Sequence, residues 1–194
     1  MPKLCVIVAS TRPNRAGLSI AEWFVRQAKA HGGFDVELAD LKEIGLPLLD
    51  EPKHPRLREY QHEHTRKWSA IVDAADAFAL VTPEYNACSP PALLNALDSL
   101  FHEWSYKPAG FVSYGGASGG MRSVQMTKML LTSLKVVPLP EAVSIQFFQQ
   151  LMDPSGVFRG SEPLEKSATT LLGELVRWSG ALKALRAPSG PPAS

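Results

Sequence analysis

Five short apolar runs alternate with amphipathic stretches along the whole chain. Leu4 to Ala9 is continuous and rich in β-branched residues, as a strand covered on both faces should be. After Ser10 to Gly17, apolar or small residues recur at Ile20, Trp23, Phe24, Ala28 and His31, and Gly32-Gly33 ends the predicted helix. Phe34 to Leu38 supplies a second strand, so the first unit is a right-handed βαβ crossover. Leu41 to Pro55 carries Pro47, Pro52 and Pro55 and is a long loop. Leu57, Tyr60, His64, Trp68, Ile71 and Ala75 follow at helical spacing. The third run, Ala77 to Val81, stops at Thr82-Pro83-Glu84-Tyr85-Asn86, and a helix begins after Ser89-Pro90-Pro91. Ala109 to Tyr114 forms a fourth strand ending in a glycine-rich loop, and Val124, Leu131 and Leu134 mark the helix beyond it. Val136 to Ile145 holds a fifth strand, which Pro138 and Pro140 place at an edge or break in two. Leu164, Ala168, Leu171, Leu175, Trp178, Leu182 and Leu185 form the last helical stripe.

This alternation calls for a doubly wound α/β fold, with a five-stranded parallel sheet and helices on both faces. Residues 1–186 form one domain, and the Pro/Gly/Ser-rich tail 187–194 is expected to be disordered.

Composition narrows the function by exclusion. Twenty basic and nineteen acidic residues leave a formal charge of +1 over 194 residues, with no block of like charge. A general nucleic-acid or membrane-surface binder is therefore not expected. No segment approaches the roughly 18 apolar residues of a spanning helix. Cys5 and Cys88 are isolated and the N-terminus lacks a signal-peptide core, so a soluble, reduced, cytoplasmic protein is expected.

The chemistry gathers where strands end. In an open parallel sheet the loops after the first, third and fourth strands share the carboxyl edge, where ligands bind. The first loop lacks GxGxxG and GxxxxGK[ST], which argues against a dinucleotide fingerprint and a P-loop. Ser10, Arg12 and Arg15, followed by a helix N-terminus, instead suit one terminal phosphate. The competing use of those helix donors is a capping box made by Ser19 and Glu22.

Ser10-Thr11-Arg12-Pro13, Pro83-Glu84-Tyr85-Asn86, Asn95-Ala96-Leu97-Asp98 and Ser113-Tyr114-Gly115-Gly116 together resemble the NADPH-dependent FMN reductase family, which includes chromate, azo-dye and quinone reductases. The resemblance runs in register from about Leu4 to Ile145 and implies a flavodoxin-like fold. It also implies that Ser10 and Arg12 hold the FMN phosphate, with Arg15 and the backbone near Leu18 and Ser19 assisting. Pro83, Glu84, Tyr85 and Asn86 would face the isoalloxazine ring, and Ser113, Tyr114, Gly115 and Gly116 would run along its pyrimidine side. Ala87 stands where the family often has glycine, and Leu94 where it often has lysine. Arg15 and the longer first loop also differ from some members.

With FMN as cofactor and NADPH or NADH as donor, no side chain needs to be a catalytic nucleophile or base. Backbone N–H groups near Gly115 and Gly116 would stabilise the negative reduced ring. Turnover would be ping-pong, with a small acceptor such as a quinone, azo compound, flavin or metal oxyanion. The family further implies a homodimer or homotetramer, with contact expected at the third helix. The alternative is an FMN-binding electron carrier or redox sensor that does not use pyridine nucleotide.

The remaining candidates have plainer explanations. Cys88 has no activating partner in sequence and is a bystander. His62 and His64 should point to different helix faces, so no metal site is expected around them and His54. Glu84 should hydrogen-bond within its loop and Asp98 should lie well inside a helix, so neither is catalytic. Trp23, Phe24, Phe101 and Trp104 are core or interface.

Overall fold

The computed structural model describes residues 1–186, and the expectation for the tail 187–194 lies outside them. Five strands, β1 (Lys3–Val8), β2 (Asp35–Asp40), β3 (Ala77–Pro83), β4 (Pro108–Tyr114) and β5 (Val137–Ile145), form one sheet in the order β2-β1-β3-β4-β5. All neighbouring pairs are parallel. The helices are α1 (Gly17–His31), α2 (Leu41–Ile44), α3 (Glu63–Ala74), α4 (Pro91–Asp98), α5 (Met121–Ser133) and α6 (Glu162–Arg186). This is the flavodoxin-like arrangement. The chain leaves β1 towards β2 on one side and returns to β3 on the other, so the loops after β1 and β3 diverge and open a crevice between them.

Strand alternation builds two cores. Leu4, Val6 and Val8 of β1 join Ala77, Ala79 and Val81 of β3 beneath α1 and α6. Cys5 and Ile7 join Phe78 and Leu80 on the other face with Trp68, Leu93, Leu97 and Trp104. Trp68 and Trp104 pack edge to face at 5.8 Å, and their indole N–H groups donate to the carbonyls of Ala96 and Leu97. Trp23 and Phe24 are core residues of the α1/α6 face, as expected. Gly110 lets α6 approach β4, because a Cβ there would lie 2.4 Å from the Leu171 side chain.

Several boundaries move from their expected places. α1 starts at Gly17, and Ser19 forms no capping box because its hydroxyl accepts from the Phe158 N–H at 2.8 Å. α3 starts at Glu63 rather than near Leu57, because Arg58 takes a left-handed conformation at φ 53°. Glu51 then caps α3 from the long loop by accepting from the Gln61 and His62 N–H groups. His62 therefore precedes the helix in extended backbone, and its ring stacks on His64 at 5.2 Å instead of pointing away. β5 is a single edge strand through both prolines, with a register irregularity opposite Gly110. Asp98 is the last residue of α4 rather than an interior one, and Phe101 lies beyond it.

Candidate functional site

At the carboxyl edge, the loops after β1, β3, β4 and β5 enclose a cleft of about 260 Å³. Nine of the expected site residues line it: Ser10, Arg12, Arg15, Pro83, Glu84, Tyr85, Tyr114, Gly115 and Gly116. Leu18, Ser19, Asn86 and Ser113 do not. Phe148 and Gln149, from the loop after β5, line the cleft without having been read from the sequence. Their location at the end of a strand on the same edge was the available signal.

The amino end of α1 faces this region with its donors open. The N-cap, Ala16, offers no side-chain bond, and no group among the described residues accepts from the backbone N–H of Gly17, Leu18 or Ser19. A helix end of this kind carries positive partial charge and unsatisfied donors, which favour an anion. Arg12 is exposed, has no carboxylate partner among the described residues, and lies 5.8 Å above the Tyr85 ring. Arg15 is differently placed. Its guanidinium pairs with Asp40 and donates to the Ser10 carbonyl at 2.9 Å, with both side chains of the ion pair nearly buried. It braces the first loop against β2, so its charge is already compensated.

The third-strand loop is a tight, cross-linked turn. Tyr85 and Cys88 exchange two backbone hydrogen bonds, N–H to carbonyl, at 3.0 and 2.9 Å. Asn86 and Ala87 occupy the two tip positions at φ 51° and 65°, a type I′ pattern. Asn86 is thus exposed at the tip rather than in the cleft. Glu84 bonds outside its own loop, contrary to expectation. It accepts from the Ser118 hydroxyl at 2.9 Å and from the Arg122 N–H and guanidinium at 3.0 Å each. Burial alone would raise this carboxyl, but those bonds outweigh it and hold the pKa below its ordinary value. Glu84 thereby ties the β3 loop to the start of α5 as a charged structural brace.

The loop after β4 is also committed. The Ser113 hydroxyl donates to the Gly119 carbonyl at 2.7 Å and is buried. The Gly115 N–H donates to the Ile145 carbonyl at 3.1 Å, so it is not free to stabilise a ligand. Of the two glycine amides expected there, Gly116 N–H alone has no acceptor among the described residues. A Cβ on Gly116 would meet open space, whereas one on Gly115 would press to 3.0 Å from the Gly120 nitrogen.

Among the described residues, no group of three or more His, Cys, Asp or Glu is placed to hold a metal ion. His64 bonds Asp50 at 3.0 Å. No helix there is long and apolar enough to cross a membrane. A larger hollow of about 870 Å³ lies at the opposite edge of the sheet. Three of its cations are engaged: Arg58 pairs with Asp73 and Glu103, Arg186 pairs with Asp76, and Lys107 donates to the Val72 and Asp73 carbonyls.

The fold is shared with solved flavoenzymes. FerB, a NAD(P)H:acceptor oxidoreductase from Paracoccus denitrificans, superposes with a TM-score of 0.73 at 22% identity, covering 93% of this chain and 98% of that one. The sequence profile of the NADPH-dependent FMN reductase family matches residues 2–150, and the chain belongs to that family. An NAD(P)H-dependent FMN reductase of Schizosaccharomyces pombe is 37% identical over 163 residues, 81% of this chain and 82% of the relative. A Bacillus NADPH azoreductase is 30% identical over 143 residues, 73% of this chain and 75% of the relative.

Proposed function

We propose that the chain is an FMN-dependent NAD(P)H oxidoreductase whose cleft passes reducing equivalents from pyridine nucleotide to a small acceptor in ping-pong order. The observation that carries this is a cleft lined by the unpaired Arg12 and the side-chain-free edge at Gly116, with the uncapped α1 N-terminus bordering it at Ser10 and Tyr114. Arg12 and the helix end suit a phosphate monoester, and the Gly116 edge leaves room for a flat ring beside the backbone. Bound FMN supplies hydride acceptance and its onward delivery. The protein's part is placement. Arg12 and the Gly17, Leu18 and Ser19 amides hold the phosphate; Pro83, Tyr85 and Phe148 wall the cleft; and Gly116 N–H faces the ring edge.

Arg15, Glu84 and Ser113 act by fixing the loops. The acceptor is a planar, electron-poor molecule such as a quinone or azo compound, and it occupies the same cleft after the donor has left. The working protein is cytoplasmic and homo-oligomeric. Initial rates measured while donor and a benzoquinone are both varied test the ping-pong order. Parallel double-reciprocal lines are expected, and intersecting lines would contradict a single shared site.

A further inference from the structure

Tyr114, the last residue of β4, lines the cleft at the end next to α1. Its side chain points to the α1/α6 face, where strand alternation sends Val112 as well. The residue is only 4% exposed, and its ring packs edge to face on Phe148 at 5.3 Å. The hydroxyl reaches the amino end of α1, so close that a Cβ on residue 17 would lie 2.4 Å from its oxygen. Gly17 is therefore what admits the phenol.

The groups around that hydroxyl are mostly engaged. Ser10 Oγ bonds the Tyr85 hydroxyl at 2.8 Å, and Arg15 is held by Asp40 and the Ser10 carbonyl. The Tyr114 hydroxyl lies at the cleft, and Ser10, the side chain beside it that can share a hydrogen bond with it, is already bonded to Tyr85. Burial, reinforced by Tyr85 and opposed by Ser10, Arg15 and Arg12, raises this phenol above its ordinary pKa, so it remains a donor throughout the neutral range.

We propose that the Tyr114 hydroxyl, admitted by Gly17 and aimed at the free amides of α1, is a phosphate ligand that makes the cleft prefer FMN to riboflavin. It rests on the proposal that the cleft holds FMN. A phosphate monoester carries close to two negative charges at neutral pH, and a phenol donating to it forms a charge-assisted bond. Two side chains would then distinguish the phosphorylated flavin, Arg12 from the solvent side and Tyr114 from the core side.

The test is the dissociation constant of FMN and of riboflavin, read by flavin fluorescence quenching, for wild type, Tyr114→Phe and Gly17→Ala. Thermal melts accompany each variant. Tyr114→Phe keeps the ring and its packing, so FMN should weaken about 10-fold or more while riboflavin stays unchanged. Gly17→Ala should displace the hydroxyl and narrow the FMN-to-riboflavin preference in the same direction. Inorganic phosphate should compete with FMN more weakly in Tyr114→Phe than in wild type. An unchanged FMN-to-riboflavin ratio in Tyr114→Phe, or equal loss for both flavins, would overturn the role of Tyr114 alone. A folded wild-type protein that binds neither flavin would overturn the FMN site itself, and this inference with it.

Discussion

Ser10 Oγ and the Tyr85 hydroxyl share a 2.8 Å hydrogen bond across the crevice between the β1 and β3 loops. The two residues are 75 positions apart, and the bond ties the β1 loop to the Tyr85 wall of the cleft. Tyr85 also lies under the Arg12 guanidinium, so one side chain orients both groups expected at the phosphate. Tyr85→Ala should therefore alter turnover and weaken FMN while costing about 1 kcal/mol or less of stability, because Tyr85 is only half-buried. Steady-state rates beside a thermal melt check this. Unchanged rates would leave Tyr85 as packing.

The two arginines of the first loop should separate cleanly. Arg12→Ala removes an exposed, unpaired cation and should weaken FMN about 10-fold or more, riboflavin little, and stability by less than about 0.5 kcal/mol. Arg15→Ala strands Asp40 in a nearly buried site and should cost about 3 kcal/mol of stability. Flavin titrations and denaturant melts on both variants give the comparison. Equal effects on the two properties in both variants would contradict the division of roles.

Ala87 occupies a left-handed position at the tip of the Tyr85–Cys88 turn, where glycine carries no steric cost. Ala87→Gly should stabilise the protein by up to about 1 kcal/mol, with little change in flavin affinity. A midpoint shift in urea measures it, and a clear loss of stability would show that the turn is not strained there.

Much of the fold was legible because burial on both faces leaves continuous apolar runs, as in Leu4 to Val8 and Ala77 to Val81. The Pro83 to Asn86 stretch announced a loop at the binding edge for the same reason. What could not be read were partnerships fixed only by tertiary contact. Arg15 reaches Asp40 across 25 positions, Glu51 caps a helix from ten residues upstream of Gln61, and Ser19 serves Phe158 across 139 positions. None leaves a periodic trace in the chain. Phe148 and Gln149 were missed because a short 3-10 turn has too few residues to show a pattern. The direction of Tyr114, by contrast, followed from the strand's two-residue period once the faces were known.

Lys107 gives the protein a specific alkaline response. Its ammonium donates to the Val72 and Asp73 carbonyls at the end of α3, and burial pushes its pKa down to about 8. The ordinary value is 10.5. Below pH 8 both native and unfolded chains carry the proton; between the two values the unfolded chain carries more. Stability contributed by this group should thus rise with pH across that window, by about 3 kcal/mol in all, and level off above it. The difference in denaturation midpoint between wild type and Lys107→Met, followed from pH 7 to pH 11, isolates it. A flat difference would contradict the assignment.

The most direct measurement is an anaerobic absorbance titration of the FMN-reconstituted protein with NADPH and, separately, NADH. Bleaching of the bound flavin bands at a rate matching turnover, followed by recovery when a quinone is added, is the predicted result. Flavin that binds but is bleached by neither donor would contradict the reductase assignment and leave an electron carrier or redox sensor in its place.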